Sequence, residues 1–126
     1  MRKFKFLPFF IVMIIIAISF SCEKVYLTEP PEIIIDTTVV YSYADTIQPI
    51  WNSKCLDCHS GAVAPNLTEG VSYDALLNGG YIETDTTRAD QSLIYTKLLS
   101  GTHDGRASNT QEALILAWLK QGAKNN

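Results

Sequence analysis

Hydrophobic and polar positions along the chain fall into three regimes. Met1 to Lys5 carries Arg2, Lys3 and Lys5, and the fifteen residues Phe6 to Phe20 hold no charge at all. A membrane-spanning helix needs about 20 apolar residues, and this run stops short, among the small residues Ser19 and Ser21. The pattern therefore predicts a signal peptide over residues 1–21 rather than a spanning helix. Residues 22–43 read as a tether, because Pro30-Pro31 blocks a helix and Glu23, Glu29, Glu32 and Asp36 favour solvation. The β-branched stretches Ile33 to Ile35 and Thr37 to Val40 are too apolar for a simple linker, which leaves room for a strand laid against the domain. From residue 44 the period becomes helical. Asp45 is the expected N-cap of a helix from Thr46 to Cys55, with Ile47, Ile50, Trp51 and Cys55 on one face. A second helix fits Ser72 to Leu77, stopped by Gly79-Gly80. A third fits Gln91 to Leu99, capped by Asp90 and ended by Gly101. The last opens on Asn109-x-x-Glu112 as a variant capping box, buries Leu114, Ile115, Trp118 and Leu119, and ends at Gly122. The fold class is all-α: about four short helices with long loops over residues 44–126.

Charge changes the picture once the signal segment is set aside. Residues 1–21 hold three of the ten bases and none of the thirteen acids, so the mature chain has seven bases against thirteen acids, a net −6. That balance argues against nucleic acid and bare anionic lipid as partners, and it suits a partner protein with a basic docking face. Size matters too. A domain spanning residues 44–126 is marginal on an apolar core alone.

The candidate chemistry lies in Cys55-Leu56-Asp57-Cys58-His59. On a helical turn, cysteines three apart point the same way and can each add to one vinyl group along a porphyrin edge. The histidine that follows offers its imidazole to the iron. Cys-x-x-Cys-His is thus read as a c-type haem attachment site, with His59 as metal ligand and one covalent haem c as cofactor. The haem would also enlarge the small core. Three alternatives compete. A thioredoxin-like redox pair wants a βαβ context that this chain lacks. Half of a zinc site needs more ligands, and only His103 remains to supply one. A Cys55–Cys58 disulfide would close a short, strained loop.

With Ile47-Gln48-Pro49-Ile50-Trp51 before the motif, Ala64-Pro65-Asn66-Leu67 after it, Tyr73, and the ending Trp118-Leu119-Lys120-Gln121-Gly122-Ala123, residues 44–124 resemble mono-haem class I cytochromes c, most closely the planctomycete-type domains. The resemblance implies a cytochrome c-like bundle wrapped around the haem, with Trp51 on the N-terminal helix packed near Trp118 on the last. It also implies that the Pro65 carbonyl accepts the imidazole N–H of His59 and raises its basicity. The sequence departs from the family at the sixth ligand. Class I cytochromes usually present a Met before the last helix, where this chain reads Gly101-Thr102-His103-Asp104-Gly105-Arg106-Ala107-Ser108, with Ala107 about where the Met would be. Met1 and Met13 are the only methionines, and both lie in the signal segment. His103, the one other histidine, is the expected distal ligand, against an exposed loop histidine with an open iron. Arg106 is a candidate partner for a haem propionate, and Arg88 a weaker one.

The stretch Ile18-Ser19-Phe20-Ser21-Cys22-Glu23 resembles the lipobox of bacterial lipoproteins, in the relaxed form of the Bacteroidota, with Ser19 where Leu is commoner. The resemblance implies acylation at Cys22, and acyl chains at about 0.8 kcal/mol per buried CH₂ would hold the protein on a membrane. Ser19-x-Ser21 also satisfies an ordinary signal peptidase. The expectation is a non-enzymatic electron carrier in the cell envelope, on the periplasmic side or as an outer-membrane lipoprotein, whose redox partner proteins the sequence does not name. A haem ligand-binding or sensing module is the alternative. A third possibility is a lipoprotein domain in which the haem mainly staples the fold.

Overall fold

A computed structural model describes residues 34–126, so the signal segment and Cys22 lie outside the described residues. Among the described residues every regular element is helical and no strand occurs, in keeping with the all-α expectation. None of these helices is long and apolar enough to cross a membrane.

The first helix starts earlier and less regularly than expected. Ser42, not Asp45, is the cap: its hydroxyl accepts from Asp45 N, and a π-helical turn over Tyr43–Ile47 leads into α1, Gln48–Lys54. Pro49 falls in the first turn of α1, where no backbone N–H is missed. Cys55 breaks the helix with φ −123° and ψ −23°, and the short α2, Leu56–His59, restarts at once. The motif therefore sits on a turn of its own, offset from α1. Tyr43, the last residue of the expected tether, is 4 % exposed and belongs to the core. Its ring meets Tyr73 edge-on at 5.2 Å and Trp118 at 5.2 Å.

Helix α3 runs Ser72–Asn78 and ends on Gly79 and Gly80, as the sequence indicates. Gly79 is required by space: a Cβ there would lie 2.5 Å from Ala75 O and 2.6 Å from the Tyr81 ring. The expected third helix is split. A 3-10 segment, Thr86–Gln91, is capped by Asp85, whose side chain accepts from Thr87 N. Helix α4, Leu93–Leu98, then begins after Ser92, which is 1 % exposed and accepts from Glu83 N at 3.0 Å. Asp90 caps neither. Ser92 turns inward to satisfy the preceding loop, and that break separates the two pieces. A last 3-10 turn covers Gly101–His103.

Helix α5, Asn109–Lys120, is the longest. Its capping box is Ser108 with Gln111, one residue ahead of the expected Asn109 with Glu112: Ser108 Oγ accepts from Gln111 N, and Gln111 Oε1 accepts from Ser108 N at 2.9 Å. Both frames satisfy the sequence pattern, and the frame seen leaves Ile115, Trp118 and Leu119 buried. α5 packs mainly on the 3-10 segment Thr86–Gln91, and also on the π turn and α4. Trp51 and Trp118 share one core with Ile47, Leu67, Leu76, Ile115 and Leu119.

No strand forms from Thr37 to Val40. Asp36 instead closes a turn, its carboxylate accepting from Thr38 N and Oγ1, and Ile34 and Val40 stay exposed. The segment is held by one side chain of the last helix's end. Gln121 donates to Val39 O at 2.7 Å and accepts from Tyr41 N at 2.9 Å.

Candidate haem site

The end of α1, the motif turn, the loop after it, α4 and the His103 turn enclose a cavity of about 580 Å³. That lies within the range of about 300–1,000 Å³ usual for small-molecule and cofactor sites. Its walls are apolar: Trp51, Leu67, Ile94 and Leu98 are buried side chains on it, and Val63 and Leu93 stand half-exposed at its rim. Cys55, Cys58, His59, Pro65, His103 and Arg106 all line it. Every haem-site residue expected from the sequence is thus brought to one cavity, except Arg88. Arg88 is exposed outside it and is paired with Glu83 at 2.5 Å and Asp85 at 3.7 Å.

The kink at Cys55 sets the motif's geometry. Cys58 N and His59 N both bond back to Cys55 O, at 3.2 and 2.9 Å, so the three residues wind around a single carbonyl. Both cysteines are free thiols, Cys55 half-buried and Cys58 exposed. Burial pushes the Cys55 thiol up from its ordinary range, an effect partly offset by the positive charge of Arg106.

His59 is anchored. Its Nδ1 lies 3.1 Å from Pro65 O, and a carbonyl can only accept, so Nδ1 carries the proton and Nε2 is the free nitrogen. The loop that presents Pro65 is closed by Leu67 N donating to His59 O at 2.7 Å. His103 stands opposite, its ring centroid 6.0 Å from that of His59 and its plane tilted 36° from it. Two imidazoles sharing one metal ion at about 2.0–2.1 Å per nitrogen hold their centroids about 6 Å apart. Among the described residues His103 makes no side-chain hydrogen bond, and its turn lies between Gly101 at φ 62° and Gly105 at φ 74°.

These residues fit an apolar macrocycle with two carboxylates and an iron. Three cations, Lys54, Lys97 and Arg106, face the cavity against one carboxylate, Asp57, in a chain that is acidic as a whole. They fit a zinc site poorly. Although two cysteines and two histidines share the cavity, no three His, Cys, Asp or Glu side chains among the described residues converge on one point.

Sequence reasoning missed Tyr81, Lys97 and Leu98. Ile94, Lys97 and Leu98 share one face of α4 at i, i+3 and i+4, a spacing present in the sequence, where only the helix and its ends were read. Tyr81 reaches the wall because Gly79 lets its ring fold across the end of α3. Compared with family models, curated proteins and solved structures, the chain matches none of them.

Proposed function

We propose that this chain holds one covalent haem c and serves as a one-electron carrier of the cell envelope. The observation that carries the reading is the pair of imidazoles, His59 and His103, 6.0 Å apart across an apolar cavity whose wall also bears two free thiols. Cys55 and Cys58 would hold the group through thioethers, His59 and His103 would hold its iron, and the group would supply reversible exchange of a single electron between ferric and ferrous iron.

The chain's own residues do the rest. Pro65 O fixes the His59 tautomer. Leu67, Ile94 and Leu98 exclude water from the cavity, and Lys54, Lys97 and Arg106 offset carboxylate charge. Two imidazoles, with no Met on the iron, favour a low potential. The resemblance to class I cytochromes c supports the same reading. A lipid on Cys22 would keep the carrier at a membrane.

Protein made with a c-type maturation system should keep its haem through acid-acetone extraction and show a low-spin spectrum. Complete loss of haem from the unmutated protein would end the reading. Mass spectrometry of the N-terminal peptide tests Cys22, where an unmodified thiol would remove the membrane from it.

One observation favours a second reading. His59 is held by Pro65, whereas the ring of His103 is held by nothing among the described residues and rides on a turn between two glycines. A His103 that yields to a small gas would make the chain a sensing module. Carbon monoxide separates the two readings: a carrier with a saturated iron resists it, and a sensor binds it readily.

A further inference from the structure

Gln48 lies on the stripe of α1 that also carries Trp51 and Cys55, yet it is polar and only 4 % exposed. One carbonyl orients it. Leu67 O can only accept, so the amide atom 3.0 Å away is Nε2, which donates to it and also to Asn52 Oδ1 at 2.8 Å. Oε1 is left to accept, which it does from Ser72 Oγ. Ser72 Oγ in turn accepts from the Tyr43 hydroxyl at 2.7 Å. Both ends of the amide are therefore satisfied inside the core, as buried polar groups require.

What the amide grips is the loop beneath His59. Leu67 closes that loop through its N–H to His59 O, and two residues earlier Pro65 O meets His59 Nδ1. We infer that Gln48 is a positioning residue for His59: by holding Leu67 it keeps the Pro65 carbonyl in line with the imidazole N–H, and so sets the ring's tautomer. This rests on, and deepens, the haem reading. An ionised Glu could not donate to Leu67 O, and a Leu would leave that carbonyl unpaired. In either case Pro65 O is freed to drift and the imidazole N–H loses its fixed acceptor, the contact that would support ferric over ferrous iron on a bound haem.

The test compares Gln48→Leu with Ser72→Ala, which removes the bond to Oε1 but leaves Gln48 on Leu67. Nitrogen-15 NMR of the reduced full chain reads the His59 tautomer and Nδ1–H exchange, and redox titration reads the midpoint potential. Gln48→Leu should speed that exchange and shift the potential upward. Ser72→Ala, at a comparable loss of thermal stability, should do neither. An equal response in both variants would make Gln48 a merely structural residue, and no response in Gln48→Leu would overturn the proposal outright. Should Gln48→Leu fail to fold, Gln48→Glu carries the same test, because it keeps the acceptor for Ser72. A wild-type protein without covalent haem would refute the haem reading alone. The NMR arm then decides on the protein as isolated: an unchanged tautomer and exchange rate in Gln48→Leu counts against the proposal, and loss of the Nδ1–H tautomer supports it.

Discussion

Two histidines face one cavity on unequal terms. His59 has a carbonyl behind it, and His103 stands on a turn flanked by Gly101 and Gly105 with its ring unbonded among the described residues. In the proposed haem form the weaker side is therefore His103. His103→Ala is expected to convert a low-spin ferric spectrum to a high-spin one and to admit carbon monoxide, measured by visible absorption. A wild type that is already high-spin would count against His103 as ligand.

Tyr43 gives a second prediction at the same scale. Burial raises its phenol above the ordinary value of 10.0. A raised acid favours the neutral form in the folded state, so this stability is fully present below the unfolded value of 10.0 and is lost as pH rises through the higher folded value. Loss of stability should thus begin once the pH passes 10.0, and Tyr43→Phe should move the onset of alkaline unfolding upward. Circular dichroism against pH, run with phenolate absorbance, reads both.

Helix boundaries show what local pattern can and cannot decide. The apolar face of α5 and its end at Gly122 were legible, because Ile115, Trp118 and Leu119 leave one phase for the helix. Its start was not. Ser108-x-x-Gln111 and Asn109-x-x-Glu112 both spell a capping box, and only the direction of the incoming loop chooses between them. Ser108→Ala should cost about 1 kcal/mol, which for a domain of this size is roughly 4–8 °C in Tm. Asn109→Ala should stay within about 0.5 kcal/mol, as an exposed surface change does. Calorimetry on the two variants separates the frames, and equal losses would sink the assignment. Splitting of the third expected helix was equally hidden, since Ser92 turns inward for Glu83 N, a partner nine residues away. Long-range satisfaction of one backbone donor overrode a local apolar period.

For the whole molecule, the feature that matters most is the cavity between the motif turn, α4 and the His103 turn. Its two cysteines and His59 were legible because they follow one another in sequence, and Pro65 because the resemblance to class I cytochromes c implied its place. Tyr81 and Lys97 were not, because they come to the site from separate elements. A cavity of about 580 Å³ with apolar walls leaves those walls open to small apolar dyes until it is filled. The double variant Cys55→Ala/Cys58→Ala, purified without haem, should bind such a dye strongly and melt at a lower temperature than the haem-loaded protein, since a group that binds only the folded chain stabilises it. Dye fluorescence and thermal melts check this, and a dye-silent variant with an unchanged Tm would show that the cavity closes by itself.

Gln121 grips Val39 and Tyr41, and Tyr43 is locked between Tyr73 and Trp118, whereas none of these residues lines the cavity. A pull arriving along the chain from ahead of Val39 is therefore taken up at the end of α5. The load path enters the core at Trp118, so tension from that side is borne first by side chains that are not on the cavity wall.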